Sequence, residues 1–232
     1  MNGIDDIKIL LYFSSHRQLK EIEFSSYFFN KSNFLKQNSE VMIHCDNDSL
    51  ESDVILKYSK YEAKTYISRS KQTFPVYPNG VFNGFLKGLS NNFEFFQNYD
   101  YVIHLVPDCY ITSEEKIVDL LKENINSEFN FIVDYHPNHN SSTQLQYICD
   151  FFIFKPKNIT NIFSDHSDIN VIAAENWLYS KIHQYNIPHK TICRGTQSLL
   201  WNIDDYGLIH NHNLLRIRSI LEGNENKNFS HY

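Results

Sequence analysis

At 232 residues and 42% apolar side chains, the chain is long enough for one α/β domain with a sizeable core. A formal charge of −6 excludes a general nucleic-acid binder, which needs a clustered basic face. Only seven glycines occur, with neither GxGxxG nor Walker spacing, so a glycine-rich phosphate loop is excluded too.

In chain order, Ile7 to Phe13 (IKILLYF) is a near-continuous apolar run of the kind a buried parallel strand shows. Phe24, Tyr27, Phe28, Phe34 and Leu35 follow at helical spacing, and Glu40 to His44 (EVMIH) predicts a second strand. A short helix is expected over Leu50 to Tyr61, with Val54, Ile55 and Tyr58 inward. Thr65 to Ser68 reads as a third strand and Phe74 to Gly80, with two prolines, as a loop. Val81, Phe82, Phe85, Leu86 and Leu89 mark an amphipathic helix. It leads to a strand over Tyr101 to Val106, which stops at Pro107-Asp108. Thr112 and Glu115 have the spacing of a capping box, so a helix is predicted after Ile111. This β-α alternation favours a mostly parallel, doubly wound sheet. In such sheets the chemistry gathers at the carboxyl ends of the strands, where Asp108 stands.

The second half is less regular. Phe129 to Asp134 and Tyr147 to Lys155 read as strands on either side of a polar loop, His136 to Gln144. Ala173 to Tyr185 is expected to be a helix with Ala174, Trp177, Leu178 and Ile182 on one face; core packing is the preferred role for Trp177. Lys190 to Cys193 predicts a short strand, Leu214 to Leu221 a helix, and 222–232 a frayed polar tail. One domain over 1–221 is expected, divided near residue 112. Cys45, Cys109, Cys149 and Cys193 are widely spaced without a CxxC pair, which predicts reduced thiols. With no membrane-length apolar run or leader pattern, a soluble, cytoplasmic protein is expected.

The order of these motifs resembles the GT-A glycosyltransferases, most nearly the family 2-like enzymes, over about residues 7–212. The stretch Asp46-Asn47-Asp48-Ser49, with Asp53 following, corresponds to the run that holds the nucleotide in that family. Asn79-Gly80-Val81-Phe82-Asn83-Gly84 loosely echoes its next motif. The family's metal-binding DxD falls on Val106-Pro107-Asp108, so the first acid is missing. Glu175-Asn176 falls where the family opens a helix with acids, one of which can serve as base. His210 or His212 falls where many of its members supply a metal-binding histidine. The resemblance implies a single-domain α/β GT-A fold, with residues 1–112 holding the donor and 113–221 shaping the acceptor pocket.

It also implies transfer of a sugar from a nucleoside-diphosphate donor to a glycan or lipid-linked acceptor, with inversion. Asp46 and Asp48 would hold the nucleoside, since carboxylates accept hydrogen bonds from ribose hydroxyls or base N–H groups. Asp108 and His212 would bind Mn²⁺ or Mg²⁺ on the diphosphate. Glu175 would accept the acceptor's proton. Without metal, Arg194, with Arg69 behind it, would offset the leaving charge. Arg216 and Arg218 beside apolar tail residues leave peripheral membrane association open. Two rivals stand beside this reading. One is a non-catalytic nucleotide-sugar-binding or interaction domain on a degenerate scaffold. The other is a His/Asp metallohydrolase built on His136, His139, His210 and His212 with Asp134 or Asp108.

Overall fold

The computed structural model describes residues 4–15, 18–45, 52–70, 79–135, 147–165, 174–193 and 206–210. Its first half runs β1 (Ile9–Ser15), α1 (Leu19–Lys31), α2 (Phe34–Asn38), β2 (Ser39–Cys45), α3 (Ser52–Tyr58), β3 (Thr65–Arg69), α4 (Asn79–Asn91), α5 (Phe93–Phe96) and β4 (Tyr101–Leu105). The second half runs β5 (Cys109–Ile111), α6 (Glu115–Asn124), β6 (Phe131–Tyr135), β7 (Tyr147–Phe154), α7 (Ala174–Gln184), β8 (His189–Ile192) and β9 (Leu208–His210).

Seven strands form one sheet in the order β3-β2-β1-β4-β7-β6-β8. Strands β1 to β4 are mutually parallel, β7 is antiparallel to both β4 and β6, and β8 is parallel to β6. The sheet is apolar on both faces because helices cover both. On one face Leu11, Phe13, Val41, Ile43, Ile103 and Phe151 belong to a core shared with Ile22 and Phe29 of α1, Ile55 of α3 and Leu121 of α6. On the other, Leu10, Tyr12, Met42, Val102, Phe152 and Phe154 pack with Leu86 and Leu89 of α4, Phe96 of α5 and Trp177 and Ile182 of α7. The alternation of inward residues along each strand thus serves two layers of helix. Trp177 is fully buried in this second core, as its place in the apolar pattern predicts.

Several local expectations are corrected. Residues 24–35 form two helices, not one, because the chain turns at Ser32, whose extended backbone closes α1. On α3 only Ile55 is buried; Val54 is exposed and Tyr58 half-buried, since a two-turn surface helix offers one side to the core. Asn79 and Gly80, expected in a loop, open α4. The helix predicted after Ile111 starts three residues later, and its first turn has no side-chain cap from Thr112.

Thr112 is used elsewhere. Its hydroxyl donates to the carbonyl of Gly207 at 2.8 Å, and its backbone N–H donates to the same carbonyl at 2.7 Å. Ser113 N–H adds a third contact to that oxygen at 3.2 Å. Glu114 turns away to accept from three backbone N–H groups, those of Asn33, Phe34 and Leu35, at 2.7–3.0 Å. It thereby satisfies the orphan donors that open α2, a charge-assisted cap from a distant element.

The clasp at Gly207 carries β9 onto β5, pairing Cys109 with His210, Tyr110 with Ile209 and Ile111 with Leu208. Gly207 has φ +71°, and a Cβ there would come within 2.4 Å of the Ser113 carbonyl oxygen. Both facts require glycine. Gly207→Ala should cost about 1–3 kcal/mol, the range for overpacking and backbone strain. Urea unfolding checks this, and an unchanged midpoint would mean that the β5–β9 clasp carries no stability.

Candidate functional site

The carboxyl ends of β1, β2, β3 and β4 lie along one edge of the sheet, and β5 continues from β4 across that edge. Pro107 and Asp108 make the turn between them, closed by Cys109 N–H donating to Val106 O at 3.0 Å. Asp108 is buried, with 5% of its side chain exposed. Gln18, just before α1, donates to its Oδ2 at 3.5 Å, while Oδ1 faces His210 Nε2 at 3.6 Å. The other ring nitrogen of His210, Nδ1, lies 2.9 Å from Asp150 Oδ2. One imidazole is thus held between two carboxylates that stand 42 positions apart in the chain, brought together by β5, β7 and β9.

Burial alone pulls the His210 imidazole toward the neutral form. The hydrogen bonds and charges of Asp108 and Asp150 outweigh it and raise its pKa from 6.5 to about 10. Without a further cation the ring is therefore an imidazolium, with Nδ1–H directed at Asp150.

Two other histidines floor the same edge, and both are neutral. His44 on β2 is held by the hydroxyls of Ser68, at 3.0 Å from Nδ1, and Ser70, at 3.2 Å from Nε2. Burial lowers its pKa to about 4. His104 on β4 meets the Ser14 hydroxyl at 3.1 Å through Nε2, and burial takes its pKa down to about 3. Gly88 of α4 lets the helix lie against His44, since a Cβ there would be 2.4 Å from the ring.

A cation fits between Asp108 and His210. Two ligands of an ion at about 2.1 Å stand about 3–3.5 Å apart, and the observed 3.6 Å differs by a small side-chain movement. Among the described residues no group of three or more His, Cys, Asp or Glu side chains could hold a metal. An ion here would therefore take its remaining ligands from a bound substrate and water, which is how Mg²⁺-type sites on phosphates are commonly completed.

Of the residues picked from the sequence, the structure brings Asp108 and His210 together. Asp46, Asp48, Arg194 and His212 lie outside the described residues, as do His136, His139, Arg216, Arg218 and the helix expected over 214–221. Asp46 follows directly in sequence on Cys45, the last residue of β2. Glu175 is the second residue of α7, and its side chain is outside the description. Arg69 ends β3, exposed. Asp134 is buried on β6. Cys45, Cys109 and Cys149 are buried cysteines and Cys193 an exposed one.

Asp150 and Gln18 were not legible as site residues. Asp150 had a signal, the single charge inside the otherwise apolar run YICDFFIF. At the opposite edge of the sheet a cavity of about 520 Å³ is lined by Asp6, Lys8, Glu40, Lys64, Tyr66 and Tyr99 among others. There both tyrosine hydroxyls donate to Glu40 and Lys64 pairs with it at 3.6 Å, so its carboxylate is already engaged.

No protein-family model matches the chain, and no curated protein matches it in sequence. Solved structures do match in fold. A 4-diphosphocytidyl-2C-methyl-D-erythritol synthase from Anaerococcus prevotii superposes with a TM-score of 0.53 at 10% identity, over 97% of this chain and 100% of that one. A galactosyltransferase in complex with donor and acceptor sugar analogues gives 0.56 at 7% identity, over 89% and 88%. A mannosyltransferase from Pyrobaculum calidifontis, in complex with GDP-mannose and Mn²⁺, gives 0.53 at 8% identity, over 81% of this chain and 55% of that one. The fold is therefore that of the nucleotide-diphospho-sugar transferases, a GT-A-like single domain with a mostly parallel seven-stranded sheet. Glycosyltransferases and nucleotidyltransferases both use it.

The histidines give stability a defined pH profile. His210 has a folded pKa of about 10, above the unfolded 6.5, so its contribution is complete below pH 6.5 and is lost as pH rises through 10. His44, at about 4 against 6.5, and His104, at about 3, act in reverse; their contribution is present above pH 6.5 and is lost as pH falls through the folded values. Urea unfolding should show greatest stability near neutrality, and His210→Gln should flatten the alkaline limb. An alkaline limb unchanged in that variant would contradict the imidazolium assignment.

Proposed function

We propose that the chain is a glycosyltransferase that moves a sugar from a nucleoside-diphosphate donor to a glycan or lipid-linked acceptor, with a divalent cation held by Asp108 and His210. The observation that carries this reading is their convergence, 3.6 Å apart, at the carboxyl edge of a nucleotide-sugar transferase sheet. Asp46 and Asp48, which follow β2 in sequence, are the donor's nucleoside partners in this reading. Of the two histidines that the sequence resemblance offered for the metal, His210 and His212, this reading uses His210.

When bound, the cation offsets the charge that develops on the diphosphate leaving group. The anomeric carbon's bond to the donor phosphate oxygen breaks as a bond to the acceptor hydroxyl oxygen forms. Glu175 takes the hydroxyl proton, and attack from the opposite face inverts the anomeric centre. Without metal, Arg194 would offset the leaving charge instead. The buried thiols and free Cys193 suit a reducing, cytoplasmic setting.

The presence of Val106 where an acid pair would begin keeps the non-catalytic binding domain as the second reading. A nucleotidyltransferase shares the fold, but the chain lacks the glycine-rich loop that wraps a triphosphate with backbone N–H groups. A thermal-shift panel of UDP, GDP, CDP, dTDP, CTP and dTTP, each with and without Mn²⁺, separates these. Mass action raises the melting temperature for a ligand that binds only the folded state. One diphosphate should shift it in a Mn²⁺-dependent way that Asp108→Ala abolishes. The matching sugar donor should then be hydrolysed or transferred by the wild type, at least tenfold more slowly by Glu175→Gln. Binding without turnover over an acceptor panel would favour the binding domain; shifts with triphosphates alone would favour nucleotidyl transfer.

A further inference from the structure

Asp150 does something that its strand does not need. The ladder between β6 and β7 pairs Val133 with Phe152 but Asp134 with Ile148, so Cys149, Asp150 and Phe151 face no partner on β6. Such bulges bend a strand and re-aim its side chains. Cys149 and Phe151 are both buried, whereas the carboxylate between them reaches His210 Nδ1 at 2.9 Å. The backbone of the same residue is tied to the Asp108 turn, because Val106 N–H donates to Asp150 O at 3.0 Å.

We propose that Asp150 is a positioning residue that fixes the ring orientation of His210 and keeps its proton on Nδ1, so that Nε2 is offered together with Asp108 to a divalent cation. This rests on the cation reading of Asp108 and His210 given above. A carboxylate accepting from the far nitrogen of a ligating imidazole both sets the tautomer and raises the basicity of the near one. Two separate restraints serve this end. The bulge delivers the carboxylate, and the Val106–Asp150 backbone bond sets its distance from Asp108. Asp150 thus lies outside the cation's own ligands, while its side chain decides which way a ligand points.

The test is Mn²⁺ binding to the whole chain, read by electron paramagnetic resonance of the protein-bound ion, with UDP or GDP present to complete the ion's shell. Wild type, Asp150→Asn, Asp150→Glu and Asp108→Ala are compared, with melting temperatures recorded for each. Asp150→Asn should weaken Mn²⁺ binding about 10–100-fold, the range for removing such a partner. Asp150→Glu, which keeps the carboxylate, should recover part of the loss. Long-range ¹H–¹⁵N spectra of the metal-free proteins supply a readout independent of the ion. The His210 Nδ1–H signal should be hydrogen-bonded in wild type and altered in Asp150→Asn. Wild-type Mn²⁺ binding left unchanged by Asp150→Asn, but abolished by Asp108→Ala, would overturn the positioning role and leave the cation site standing. Absence of Mn²⁺ binding to the wild type, or binding indifferent to Asp108→Ala, would overturn both.

Discussion

The pairing of β5 with β9 is the constraint on which the site depends. Two three-residue strands bring His210 back across 102 positions to sit beside Asp108. The clasp is small, so its hold comes from the Gly207 carbonyl, which takes donors from Thr112 and Ser113, and from aromatic cover. Phe24 and Phe28 of α1 pack on Tyr110 and Ile209 from the helix side. Without this pairing Asp108 would be a buried acid after a proline turn and His210 a tail residue. With it, the two carboxylates and one imidazole form a compact charged group at the edge of an apolar sheet.

Around that group the fold supplies rigidity and a low-polarity floor. Strands β1, β2, β4 and β7 are buried on both faces, and the polar residues that appear at the site edge are satisfied in pairs. Ser14 engages His104, while Ser68 and Ser70 engage His44. Neutral histidines beneath and an imidazolium above are set by the same physics acting with opposite sign. Desolvation dominates at His44 and, against an opposing pull from the Asp150 charge, at His104, whereas the two carboxylates that contact His210 dominate there. A divalent cation between Asp108 and His210 must displace a proton from Nε2, so the site exchanges one positive charge for another.

What was legible in the sequence was what local pattern encodes. Runs such as IKILLYF and YVIHLV announce strands covered on both faces, and the four-residue spacing of α4 announces its apolar stripe. Asp108 could be picked because a proline ends β4 just before it. The misses have a common cause. Strands of three residues carry no period, so β5 read as part of the turn before a helix and β9 did not register at all. The Thr112–Glu115 spacing is a capping signal only if no stronger partner is present, and Gly207, 95 positions away, is that partner. Asp150 shows in sequence only as a lone charge in an apolar run; the bulge that aims it is a relation between two strands and is encoded in neither alone.

The claim that Asp108 and His210 share a cation is tested most directly by anomalous diffraction from crystals grown with MnCl₂ and a nucleoside diphosphate. The account predicts a Mn²⁺ peak within about 2.0–2.3 Å of both Asp108 Oδ1 and His210 Nε2, with diphosphate oxygens completing its shell and Asp150 still on Nδ1. A nucleotide seated at that edge with no Mn²⁺ peak there, or with the ion on other residues, would contradict it.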